Sequence, residues 1–146
     1  MKYSELIQAY FERSVALQSY WTIYVLVIGG VLAFSAFRHQ KDFVTTVLVC
    51  LLYIGFAYKN LGAIEATLAE RQALVTAIKQ YPAVAGPDTT DLKRVREVLE
   101  PTLTWQEYEG VRNFHVMCDL LTIAFLLARE VRRKKTEVAT AGSSIG

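Results

Sequence analysis

The sequence predicts an all-α integral membrane protein: a transmembrane helical hairpin, an extramembrane helical segment and a third transmembrane helix. Three observations predict it. The 146 residues are 53% hydrophobic and only 21% charged, below the quarter usual for soluble domains. No Asp, Glu, Lys or Arg occurs from Ser14 to Phe37. Two further apolar runs begin at Phe43 and Val111. The length suits one domain, and disorder is excluded by the apolar content. A net charge of +2 is too mild for a nucleic-acid binder, so the expected partners are the bilayer and other membrane helices.

Residues 1–19 carry a short stripe of Leu6, Ile7, Tyr10 and Phe11 and are expected to form a juxtamembrane amphipathic helix. The first span follows at 20–37. A helix built on the uncharged run crosses the roughly 30 Å hydrocarbon core at about 1.5 Å per residue. Tyr20, Trp21 and Tyr24 stand at its entrance, where amphipathic rings favour the interface. A cleaved signal peptide is the competing reading, with Ala33-Phe34-Ser35 as cleavage site. Glu5 and Glu12 argue against it, because a signal peptide starts with a basic region.

The basic stretch 38–42 is too short to do more than turn the chain, so the second span, 43–64, returns antiparallel to the first. Lys59 snorkels from it. The segment 65–104 is expected outside the membrane, with a loop at 82–91 around Gly86-Pro87-Asp88. Leu61, Ile64, Leu68, Val75 and Ile78 recur at helical spacing, with Arg71 interrupting the stripe. Leu92, Val95, Val98 and Leu99 give a short amphipathic helix with Thr90 or Asp91 as N-cap and Pro101 at its end. The third span, 105–128, starts at the capping-box spacing Thr104…Glu107. Its polar content leaves a helix lying on the bilayer surface as the rival. The remainder, 129–146, reads as a basic cytoplasmic tail, unstructured from Thr136.

Charge sets the expected orientation. Arg38 and Lys41 flank the turn, and Arg129, Arg132, Arg133, Lys134 and Lys135 follow the third span, whereas Lys59–Gly110 carries six basic and eight acidic residues. The positive-inside rule then places the N-terminus outside and the C-terminus in the cytoplasm, in a plasma membrane or a bacterial inner membrane. Arg132, Arg133, Lys134 and Lys135 suit anionic lipid headgroups as well as orientation.

Arg112, His115, Asp119 and Thr122 are spaced three, four and three, which puts them on one helical face inside the third span. A carboxylate there costs roughly 2.5–3.5 kcal/mol on insertion scales. Three readings offset it: a proton or ion relay through Asp119 and His115, a clamp bonded to hydroxyls such as Thr22, Thr45, Thr46 or Tyr53, or a seam between identical chains. Gly29, Gly30 and Ala33 offer a small-residue helix contact, read first as packing within the hairpin. The only two histidines, His39 and His115, fall near opposite ends of spans, so no haem, other cofactor or metal is expected. Cys50 and Cys118 lie within spans and read as small hydrophobes. No catalytic motif is present.

The three-span, N-out, C-in topology with a basic tail resembles that of some phage holins. The resemblance covers topology alone, and the middle segment of about fifty residues departs from it. The expected function is non-enzymatic: helix association, as an accessory subunit or a homo-oligomer. The alternative is a proton- or ion-conducting pore or transporter using Asp119 and His115.

Overall fold

The computed structural model describes residues 2–38, 42–82, 89–103 and 107–143, with side chains for all of these except 89–92 and 133–143. The fold is all-α. Helix α1 is Tyr3–Phe37, α2 is Phe43–Lys79, α3 is Thr89–Leu99, a 3-10 turn follows at Glu100–Thr102, and α4 is Tyr108–Ser143. No strand occurs among the described residues. Three helices are long and apolar enough to cross a membrane: Tyr3–Phe37, Phe43–Lys79 and Tyr108–Arg132.

Several boundaries differ from expectation. The N-terminal stripe and the first span are one helix of 35 residues, and the second span continues into the middle segment as one of 37. Neither contains proline, so nothing interrupts the hydrogen-bond ladder. At about 1.5 Å per residue each exceeds 50 Å and outruns the hydrocarbon core. Helix α3 starts at Thr89, within the expected loop 82–91 and one residue before the expected caps; residues 83–88 of that loop lie outside the described residues. Helix α4 starts at Tyr108 rather than at Trp105; Thr104, Trp105 and Gln106 lie outside the described residues. The tail expected to be unstructured is helical as far as Ser143. Between Gly110 and Gly142 the chain has neither glycine nor proline, and Arg, Lys, Glu and Ala predominate after Ala128.

Chain contacts divide the protein into two compact units: Met1–Tyr20 with Gly62–Val111, and Trp21–Leu61 with Arg112–Gly146. In the first unit, Tyr3, Leu6 and Tyr10 of α1 pack with Val75 and Ile78 of α2 and with Leu103. The pairing is antiparallel, because Tyr3 meets Tyr81 edge-on while Tyr10 and Arg13 meet Arg71 and Glu70. Arg71, the interruption in the α2 stripe, lies over the Tyr10 ring and donates to its hydroxyl at 2.8 Å. The charge therefore rides on an aromatic face. Arg96 fastens α3 to the same unit: it sits over the Tyr3 ring, donates to the Tyr81 carbonyl oxygen at 3.0 Å and pairs with Glu100 at 2.7 Å.

In the second unit α1 and α4 run parallel and α2 antiparallel to both. Contacts establish the register: Tyr24 with His115, the Ala36 carbonyl with Arg129, Tyr53 with Asp119, and Thr46 with Glu130. Three crossings in alternating directions are what three spans require. The buried positions of α2 here, Thr46, Cys50, Tyr53, Ala57 and Asn60, alternate four and three apart, the 3.5-residue period of a coiled-coil seam.

The turn between α1 and α2 is pinned at its described ends; His39, Gln40 and Lys41 lie outside the described residues. Asp42 caps α2, accepting from the Thr45 amide at 3.2 Å and from the Thr45 hydroxyl. Arg38 donates to the Asp42 carbonyl oxygen at 2.7 Å. The Thr45 bonds hold the Asp42 carboxyl below its usual range, with Arg38 adding a smaller pull. A lowered carboxyl stabilises the fold above its ordinary value near about 4, and that contribution disappears as pH falls through the lowered one. The stability difference between the protein and Asp42→Asn is therefore expected to be constant near neutrality and to shrink under acid, read by thermal unfolding in detergent.

Candidate functional site: a polar cluster among three helices

The sharpest polar feature of the sequence becomes a closed network in the second unit. Helix α4 presents His115, Asp119 and Thr122 on one face, α2 presents Tyr53 and Asn60, and α1 presents Tyr24. His115 has no exposed surface, and Tyr24 and Tyr53 are each 2% exposed. Asp119 lies among them with its side chain 17% exposed.

Each carboxylate oxygen of Asp119 has a donor. Its Oδ1 accepts from the Tyr53 hydroxyl at 2.6 Å and from the Tyr24 hydroxyl at 2.9 Å. Its Oδ2 lies 2.9 Å from Nδ1 of His115, its neighbour one turn earlier. The Tyr24 hydroxyl also reaches the His115 carbonyl oxygen at 3.1 Å. On the other side of the imidazole, Nε2 lies 3.3 Å from Nδ2 of Asn60. An amide nitrogen only donates, so Nε2 accepts and Nδ1 carries the proton that faces Asp119. The Tyr24 ring stacks on the imidazole with centroids 3.9 Å apart, and Trp21 lies 6.0 Å away on a tilted plane.

Magnitudes decide what this arrangement does. Hydrogen bonds between membrane helices are worth roughly 0.6 kcal/mol on average and up to about 1.7. Two such bonds reach Asp119 from α1 and α2 and a third comes from His115 within α4, so together, at roughly 2–5 kcal/mol, they are of the same order as the roughly 2.5–3.5 kcal/mol insertion cost. The carboxylate is accommodated wholly by its own chain, and its partners come from all three helices.

The remaining candidates fall elsewhere. Thr122 is buried beside the cluster, its hydroxyl donating to the Cys118 carbonyl oxygen at 2.8 Å. Arg112 is exposed although, seven residues before Asp119, it keeps the same face of the helix; burial of that face begins one turn later, at His115. Of the hydroxyls proposed as clamps, Tyr53 serves. Thr45 is engaged by Asp42 and Thr46 by Glu130 at 3.4 Å. Tyr24 and Asn60 complete the site without having been foreseen. Tyr24 follows Tyr3, Tyr10 and Leu17 at seven-residue intervals, all four buried, and that interval was the available signal.

Gly29, Gly30 and Ala33 do not pack within the hairpin. All three are exposed, and a Cβ added at either glycine would meet nothing within 4 Å. The α1 seam passes through Tyr24, leaving the two glycines on the opposite side, whereas Ala33 borders a groove that α1 shares with Leu121, Thr122 and Phe125 of α4. Arg132 is exposed; Arg133, Lys134 and Lys135 continue α4, and their side chains lie outside what the structure describes. Cys50 and Cys118 are free thiols. Among the described residues no three His, Cys, Asp or Glu side chains converge as a metal site. No protein-family model, curated protein or solved structure matches the chain.

Proposed function

We propose that this is a multi-pass membrane protein that acts by helix association, as an accessory subunit or a homo-oligomer, without catalytic chemistry. One observation carries the reading: Gly29 and Gly30 are exposed with nothing within 4 Å of where a Cβ would stand, so this small-residue surface of α1 is left uncovered by the chain's own helices. Small residues let a second helix approach closely in lipid, where packing rather than water drives association. The polar cluster supports this by exclusion. Both carboxylate oxygens of Asp119 are bonded to side chains of the same chain, drawn from three helices, so its part is to hold the bundle that presents the outer surface.

The orientation follows from the basic end. Arg38 and Arg129 lie at the same end of the second unit, joined through the bond from Arg129 to the Ala36 carbonyl oxygen at 2.8 Å. The positive-inside rule assigns that end to the cytoplasm and the N-terminus to the outside, in a plasma or bacterial inner membrane.

Extraction into native nanodiscs tests the reading. The protein is expected in complexes of more than one chain, and Gly29→Leu with Gly30→Leu is expected to release single chains. Proteoliposomes are expected to show no proton or ion flux above lipid alone. Single chains with flux abolished by Asp119→Asn would instead establish the pore or transporter that uses Asp119 and His115.

A further inference from the structure

We propose that the end of the second unit where α4 carries Arg132 and runs on through Arg133, Lys134 and Lys135 binds the headgroups of anionic phospholipids. Sequence counting leaves the local charge ambiguous, because Glu130 lies within the basic run. The fold resolves the ambiguity. Glu130 is 5% exposed and turns into the bundle, where its carboxylate accepts from Thr46 at 3.4 Å beneath the Arg38–Thr46 contact at 3.3 Å. Its charge is thus spent inside, while Arg132 is exposed. Among the residues whose side chains are described, Asp42 is the exposed acid at this end, and it is occupied in capping α2.

Distance favours lipid over a soluble polyanion. Helix α4 runs without a break from its apolar segment into the basic run, so Lys135, seven residues past Ala128, stands only about 10 Å further along the axis. That is about one Debye length at physiological salt. Every base in the run therefore lies within electrostatic reach of the headgroup layer. Arg129, Arg132 and Arg133 fall at i, i+3 and i+4, on one side of the helix. A base at the surface concentrates a monovalent anionic lipid by about fivefold.

The test uses the full chain reconstituted in phosphatidylcholine vesicles carrying traces of spin-labelled phosphatidylglycerol or phosphatidylcholine. The motionally restricted fraction is expected to favour phosphatidylglycerol by about fivefold at low salt. The preference should vanish at about 1 M salt, where the Debye length is about 3 Å. Substituting Arg132, Arg133, Lys134 and Lys135 by Gln is expected to abolish it, with helical circular dichroism retained. Arg132→Lys with Arg133→Lys should keep it. Equal restriction of both lipids by the unaltered protein would overturn the proposal. So would a preference that survives the four Gln substitutions, or capture of a DNA duplex by vesicles that show no lipid preference.

Discussion

Asp119→Ala is expected to lower the unfolding free energy of the protein in bicelles by roughly 2–5 kcal/mol. The loss is large because one truncation strands three donors: the hydroxyls of Tyr24 and Tyr53 and the Nδ1 proton of His115. Each belongs to a side chain at most 2% exposed, where an unsatisfied donor is costly. Asp119→Asn should behave differently, staying within about 1 kcal/mol of the unaltered protein. The Asn carbonyl oxygen can accept from both tyrosines. Its amide can donate to His115 Nδ1 once the imidazole shifts its proton to Nε2 and Asn60 turns its carbonyl oxygen toward that nitrogen. Steric-trap unfolding reads both differences. Equal costs for Ala and Asn would mean that charge, rather than hydrogen bonding, holds the three helices.

Tyr10→Ala is expected to cost about 3–5 kcal/mol in the first unit, the range for emptying a buried aromatic site. Tyr10 is 5% exposed and packs among Tyr3, Leu6, Val75 and Ile78. Its ring also carries the Arg71 guanidinium, with the arginine carbon 5.0 Å from the ring centroid. Tyr10→Phe keeps the ring and removes only the acceptor for Arg71, so about 1 kcal/mol is expected. Hydrogen exchange at the amides of Leu6 and Val75 measures the loss locally. An Ala effect no larger than the Phe effect would show that the ring contributes little beyond its hydroxyl.

Hydropathy alone made the three spans legible, because bilayer thickness demands long apolar runs and the chain supplies them. The alternation of the three crossings followed from the short 38–42 connection. The site was legible only in part. His115, Asp119 and Thr122 stood out as polar residues at helical spacing in an apolar run. Tyr24 did not, because a tyrosine near the start of a span is equally at home at the interface. Asn60 was hidden by Lys59 and the apparent end of the hydrophobic segment. Both belong to seams of near 3.5-residue period that mix polar and apolar side chains, and a hydropathy pattern tracks only the apolar members. Arg112 does share the face of Asp119, two turns along, but burial of that face begins only at His115, and spacing within one helix does not say how far along it the neighbouring helices cover it. The outward setting of Gly29 and Gly30 was equally hidden, since the residues that define the inner side of α1 lie far along the chain.

Photocrosslinking from position 29 in native membranes reads association through the glycine surface of α1. A photoreactive residue placed there should give an adduct with a polypeptide, either a second copy of the chain or another membrane protein. The same group at exposed Leu51, on α2, should label mainly lipid. Labelling of lipid alone from position 29, at the same level as from position 51, would contradict association through this surface.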